Sequence, residues 1–158
     1  MKARWILTLA IVAATAWGNA AFAAGTDVVV RSTKGEFKDV KDQLLLAIEG
    51  RGLVLNYTAR IGAMLDRTGK DIGAARQVYV NAELVEFCSA KMSRDTMEAD
   101  PHNIVFCPYA IAIYVLPKEP GRVYLAYRRP GASGSERSAR SLAAVDKLLA
   151  GIVAEALK

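Results

Sequence analysis

The stretch Tyr109–Leu116, with the sequence YAIAIYVL, carries the clearest β-strand pattern in the chain. It is almost continuously apolar and rich in β-branched and aromatic residues, which pack well on a pleated surface. Such a run predicts a strand in the middle of a sheet, with both faces at least partly covered. The Pro117–Gly121 segment predicts a hairpin turn. After it, Val123, Leu125 and Tyr127 recur at every second position, as in another strand.

Three more strands are predicted upstream of this hairpin. Asp27–Ser32 contains three consecutive valines, Leu53–Thr58 begins with Leu-Val-Leu, and Gln77–Cys88 is rich in Val, Tyr and Phe. Residues of these types favour β-structure. Together with the hairpin, these segments predict a sheet of about four to six strands.

A first helix is predicted between the first two strands. Thr33 and Glu36 have the three-residue spacing of a capping box, so the helix is expected to start there. Apolar residues then recur at helical spacing and form one stripe for the core, and Gly50 and Gly52 end the helix as C-terminal caps. The stripe consists of Phe37, Val40, Leu44, Ala47 and Ile48.

The later helices are of unequal length. Ile61–Arg67 predicts a short helical turn, and Ser89–Asp100 predicts a helix or a wide polar loop. Asp100–Asn103, with the sequence DPHN, is a turn signal because proline fixes one dihedral and Asp and Asn bond to local backbone. A long final helix follows Ser133, whose spacing to Glu136 repeats the capping box. Its apolar face consists of Leu142, Val145, Leu148, Leu149, Ile152, Ala156 and Leu157.

The predicted order of the main elements is β-α-β-β-β-β-α. Strands that follow one another through hairpins pair antiparallel, and the long helices need a sheet face to cover. The sequence therefore predicts an α+β fold, with a mainly antiparallel sheet backed by two helices.

The N-terminus has the pattern of a secretory signal peptide. Lys2 and Arg4 precede an apolar run from Trp5 to Trp17, and Ala21-Phe22-Ala23 supplies small residues at the −3 and −1 positions. The run is shorter than the roughly 20 residues of a membrane-spanning helix. Residues 1–23 are therefore predicted to be removed after Ala23, which leaves a single periplasmic domain over residues 24–158 without a stable membrane anchor.

The charge balance argues against nucleic acid as a partner. The formal charge of +5 falls to +3 when Lys2 and Arg4 leave with the signal peptide. The remaining basic residues are scattered, whereas a nucleic-acid binder needs a basic stripe with interleaved aromatics.

The mature chain resembles a known family, the domain-of-unknown-function family 302. The resemblance covers about Val28 to Pro130, and the last helix agrees in position only. It implies a TATA-binding-protein-like α+β fold, an unsettled biochemical function and no catalytic residues. The matching segments are Ser32–Ile48, Gly50–Val54, Leu84–Phe87, Asp100-Pro101, Pro108–Tyr114 and Gly121–Tyr127.

The two cysteines, Cys88 and Cys107, end one predicted strand and precede another. In an oxidising compartment the simplest interpretation is a structural disulfide, which would stabilise the domain by about 3 kcal/mol for a loop of this size. A redox role is an alternative, although reactive pairs are usually close in sequence with a lowered thiol pKa. The sequence does not decide between a structural disulfide and a redox-active pair.

A metal site is a further alternative for the same segment. Cys88, Met92, Met97, His102 and Cys107 offer thiolate, thioether and imidazole ligands, which suit copper. A closed zinc site lacks its fourth Cys or His ligand, and covalent haem attachment lacks the C-x-x-C-H motif. Methionines near a helix also serve as packing residues.

An anion site is conceivable before the last helix, where Gly134 precedes the helix N-terminus and Arg128 and Arg129 lie nearby in sequence. A flexible linker is the simpler interpretation. His102 is the only imidazole and no G-x-S-x-G motif occurs, so hydrolytic chemistry has little support.

These observations favour a non-enzymatic periplasmic accessory or binding protein without a resident cofactor. Its expected partner is a small apolar ligand or another periplasmic protein. The alternative is a redox or copper-handling protein that uses the Cys88–Cys107 segment, in respiratory or sulfur metabolism.

Overall fold

The computed structural model describes residues 27–74, 76–131 and 134–158. The predicted signal peptide, its cleavage site after Ala23 and the predicted cap residue Ser133 lie outside these residues. The described part contains a five-stranded sheet in the order β1-β5-β4-β3-β2, and every neighbouring pair is antiparallel. The strands are β1 (Val28–Lys34), β2 (Val54–Ala59), β3 (Asn81–Cys88), β4 (Tyr109–Val115) and β5 (Arg122–Arg128).

Helices connect these strands. The helices α1 (Phe37–Glu49) and α4 (Glu136–Ala156) pack against each other and contribute to one core with the sheet. Helix α2 (Ile61–Asp71) packs on β3. Helix α3 (Ala90–Ala99) and a 3₁₀ helix (Pro101–Phe106) link β3 to β4. The predicted α+β fold with an antiparallel sheet is confirmed.

The core lies on the sheet face that α1 and α4 cover. Side chains alternate between the two faces of a strand, and on β4 the buried set is Tyr109, Ile111, Ile113 and Val115. As predicted, β4 is the central strand. The fully buried apolar side chains include Leu44, Ile48, Val85, Phe87, Ile111, Ile113, Leu125, Leu142, Val145 and Ile152.

The opposite face of the sheet, called here the open face, is much more accessible. Helix α2 reaches it beside Ala82, where a Cβ on Gly62 would lie 3.0 Å from the Ala82 backbone nitrogen. Elsewhere, Ala110, Ala112 and Tyr114 of β4 remain half-buried. By strand pairing, the open face also carries Val28, Val30, Leu84, Glu86, Tyr124, Ala126 and Arg128.

Several element boundaries differ from the sequence predictions, and α2 extends to Asp71 instead of ending at Arg67. The capping box predicted at Thr33 is wrong, because β1 continues through Lys34 and Thr33 pairs with Val123 of β5. The N-cap of α1 is Glu36, without a side-chain cap bond. Helix α4 is capped by Ser135, whose Oγ accepts from the Ser138 backbone nitrogen. The third strand begins only at Asn81.

Candidate functional site

A groove of about 580 Å³ lies at one end of the open face. Ala110, Ala112 and Ala126 form its floor, and Val28 and Leu84 flank them. Small side chains leave the space above the strands free, which larger residues at these positions would fill. The remaining lining residues are Asp27, Val105, Phe106, Pro108, Tyr109, Tyr127, Arg128, Arg129, Pro130, Gly131 and Leu149.

The groove opens where the pairing between β4 and β5 stops. These strands pair only from Ala112–Ala126 to Val115–Val123, whereas β1 and β5 pair along their whole length. Tyr109 and Tyr127, which lie beyond the last pair, both line the groove. The local end of the β4–β5 ladder therefore gives the groove its position at one end of the sheet.

The alanine floor is the part of the site that sequence reasoning missed. Its signal was present in YAIAIYVL, because Ala110 and Ala112 occupy alternate positions and must share one face. Ala126, on the neighbouring strand, pairs with Ala112. Only the register between strands shows that the alanines form one surface.

The 3₁₀ helix supplies one wall of the groove through Val105 and Phe106. A single buried side chain fixes this wall to the helical layer. Asn103 is 3% exposed, and its Nδ2 donates to the Thr96 carbonyl oxygen and to Ser138 Oγ, both at 2.9 Å. The wall is thus tied to α3 and to α4.

The three candidate anion-binding residues do not form one site. Arg129 lies 3.4 Å from Asp146 of α4, measured from Nε to Oδ2. Gly134 has a φ of +73°, and a Cβ there would lie 2.9 Å from the Asp100 carboxylate. That carboxylate disfavours an anion beside the start of α4. Arg128 lies on the open face and lines the groove together with Arg129.

The two cysteines lie side by side. Their Sγ atoms are 3.6 Å apart, and both thiols are free and half-buried in this structure. A disulfide bond is shorter, about 2.05 Å, so the structure shows neighbouring thiols within easy reach of a bond. Cys107 stands between the groove residues Phe106 and Pro108, so the pair adjoins the groove wall.

The surroundings of Cys88 favour the neutral thiol. Burial raises the pKa of Cys88 above its ordinary value, and the hydrogen bond from Asn56 opposes this rise. Asn56 Nδ2 donates to Cys88 Sγ at 3.0 Å, while Ser93 Oγ lies 3.5 Å from Cys107 Sγ. Fast-reacting cysteines have a lowered pKa, and Cys88 shows the opposite shift.

The predicted metal ligands are only partly assembled. Within the ranges that the structure describes, no three His, Cys, Asp or Glu side chains form a cluster that could hold a metal ion. His102 lies on the exposed surface of the 3₁₀ helix. Met92 packs against the hydrophobic core. A copper site that combines the two thiolates with a thioether, from Met92 or Met97, stays a prediction.

No helix in the described part of the chain has the length and apolar character that crossing a membrane requires.

Comparisons with known proteins agree on one family. The family model described as "Domain of unknown function DUF302" matches residues 28–156, so the match extends through α4. The chain is also similar to an uncharacterized conserved protein DUF302 from Bacillus stearothermophilus, known from its crystal structure. The two share 12% sequence identity with a TM-score of 0.70, over 85% of this chain and 100% of that one. This likeness shows the fold. No curated protein matches the chain.

Proposed function

The chain belongs to the DUF302 family of domains of unknown function, and from that premise we propose that it is an exported binding protein for a small apolar ligand. The groove on the open face is the observation that carries this proposal. Its volume of about 580 Å³ falls within the range of about 300–1,000 Å³ that is usual for small-molecule sites. Its lining is mostly apolar with a few polar groups, which is also typical of such sites.

The groove is better suited to this role than the space between the sheet and the helices. That space is filled by the core, in which Leu44, Ile111 and Leu142 are fully buried. A ligand there would have to displace packed side chains, and losing such contacts costs several kcal/mol. A ligand on the alanine floor displaces water instead. The apolar surface that it would cover includes Val28, which is 48% exposed.

The proposal predicts what the protein carries when it is purified from the periplasm of a Gram-negative host. Native mass spectrometry should give the mass of residues 24–158 together with a bound small molecule. Ala112→Phe should lose this molecule, because a phenyl ring on the floor fills the groove. Ala143→Phe, on the exposed side of α4, is the matched control and should keep it.

Two results would count against the proposal. A mass that includes residues 1–23 would contradict export, and equal retention by the Ala112→Phe and Ala143→Phe variants would contradict binding in the groove. Circular dichroism of both variants shows whether they are folded. Ala112 is half-buried and lies outside the core, so we expect both variants to fold.

A second candidate function is thiol redox chemistry, which the 3.6 Å distance between the two sulfurs favours. The raised pKa of Cys88 counts against a fast-reacting thiolate, so this function stands second. We propose instead that Cys88 and Cys107 form a stabilising disulfide after export. Each sulfur would lose one hydrogen, and an oxidised dithiol of the exporting compartment would take up the two electrons and two protons.

A further inference from the structure

We propose that the groove selects amphiphiles with one anionic head group, which Arg128 binds while the apolar chain lies on the alanine floor. This inference rests on the proposed function of the groove and names the class of its ligand. It starts from the different charge partners of two adjacent arginines.

Arg128 and Arg129 both line the groove, but their charge partners differ. Arg128 pairs with Val28 and lies two residues beyond Ala126, so both side chains belong to the open face. Arg129 lies just beyond the end of β5, and its Nε is 3.4 Å from Oδ2 of Asp146 in α4. The positive charge of Arg129 is therefore partly balanced, and that of Arg128 remains directed towards the groove.

Arg128 has no bonded acidic partner in the described part of the chain. Asp27 also lines the groove, and its backbone oxygen accepts from the backbone nitrogen of Arg129. On the open face, Glu86 lies two strands away, about 10 Å at ordinary strand spacing. Water and salt screen most of an interaction over that distance.

The Arg128 end of the groove and its apolar remainder favour different chemical groups in a ligand. A guanidinium presents paired donors that fit a carboxylate or a phosphate. The rest of the groove offers apolar surface, including Val105, which is 77% exposed. A ligand that satisfies both parts carries an anionic head group on a hydrocarbon chain. A fully apolar ligand would leave Arg128 without a partner.

The test uses four probes with the same ten-carbon chain, namely decanoate, decyl phosphate, decanol and decyltrimethylammonium. Isothermal titration of the purified protein measures each affinity below the micelle concentration. We expect at least one anionic probe to bind about tenfold more tightly than decanol, as a charge-assisted hydrogen bond warrants. Decanoate and decyl phosphate distinguish a carboxylate from a phosphate head group, and a preference for either supports the proposal. The cationic probe should bind most weakly.

Variants assign the preference to one residue. Arg128→Gln should remove the difference in affinity between the anionic probes and decanol. Lys147→Gln, on the exposed surface of α4, is the matched control and should keep the difference. Equal binding of anionic and neutral probes by the unaltered protein would overturn this inference and leave the groove as an apolar site. Absence of binding by all four probes would overturn the proposed function as well.

Light scattering of the same samples tests a different occupant of the open face. A dimer that Ala112→Phe disrupts and that the anionic probes leave intact would show a second copy of the chain on this surface, and would overturn the proposal. A monomer at all probe concentrations supports it.

Discussion

The two faces of the sheet are built from the same strands but from side chains of different size. On β4, Ile111 and Ile113 point into the core and are fully buried, whereas Ala110 and Ala112 alternate with them on the open face. The large residues exclude water and supply hydrophobic stabilisation. The small ones leave space. One strand therefore serves stability with one face and a groove with the other.

Aromatic residues also differ in burial between the two faces of the sheet. Phe87 of β3 is fully buried and packs edge-to-face on Tyr109, with ring centroids 6.2 Å apart. Tyr114 and Tyr124 stack on the open face with centroids 5.2 Å apart, and both remain partly exposed. If the faces have the roles that we assign, truncating an aromatic residue should have very different consequences on the two sides.

The largest effect is expected for Phe87→Ala, compared with Tyr57→Ala on the neighbouring strand. Phe87 fills the core, so its removal should lower the free energy of unfolding by about 3–5 kcal/mol. Tyr57 is 64% exposed, and its removal should cost less than about 1 kcal/mol. Urea denaturation followed by circular dichroism measures both. Losses of equal size would break the distinction between the two faces.

A smaller effect is expected from oxidation of the cysteine pair, which adjoins the groove wall. Closing the loop between Cys88 and Cys107 should raise the free energy of unfolding by about 3 kcal/mol, because it restricts the unfolded chain. The measurement compares urea denaturation in oxidised glutathione and in dithiothreitol. Cys107→Ser should respond to neither reagent. Two free thiols after oxidation of the unaltered protein, counted under denaturing conditions, would refute the disulfide.

The covered face was predictable from the sequence because its signal is local. The alternation in YAIAIYVL buries every second residue from Tyr109 to Val115, and the helical stripe buries its members from Val40 to Ile48, while Phe37 at its start is half-buried. Both follow from geometry within one element. The wrong prediction at Thr33 has a non-local cause. Thr33 pairs with Val123 of the distant strand β5, and this pairing overrides the local capping-box pattern.

The groove could not be predicted from the sequence, because it too is set by contacts between distant segments. It depends on where β5 stops pairing with β4 and on where the 3₁₀ helix lies, and both are set by contacts between segments distant in sequence. Asn103, which fixes that wall, bonds to Ser138 from 35 residues away. The two adjacent arginines show most clearly what the sequence alone does not predict. In the sequence Arg128 and Arg129 are equivalent members of an adjacent basic pair, whereas in the structure both line the groove and Arg129 alone of the two has an ion-pair partner among the described residues.

Tyr109 lies where the two faces meet and provides the smallest and most specific prediction. It is 3% exposed and belongs to the core, yet it also lines the groove. Its Oη makes no hydrogen bond to another described residue. Burial disfavours the phenolate and raises the pKa of Tyr109 above the ordinary value of 10.0. The folded protein therefore holds this proton more tightly than the unfolded chain does.

The sign of the pH dependence follows from that difference. The stabilisation from Tyr109 is fully present below the ordinary tyrosine pKa and is lost as the pH rises through the raised value. Tyr109→Phe should reduce the loss of stability between about pH 9 and pH 11, and it should change stability at neutral pH little because the hydroxyl has no partner to lose. Tyr57→Phe, on the exposed part of β2, is the matched control for the removal of a tyrosine hydroxyl. Urea denaturation at each pH measures these differences. An unchanged slope in Tyr109→Phe would mean that water in the groove reaches the hydroxyl, and the boundary between the covered face and the groove would then lie deeper than Tyr109.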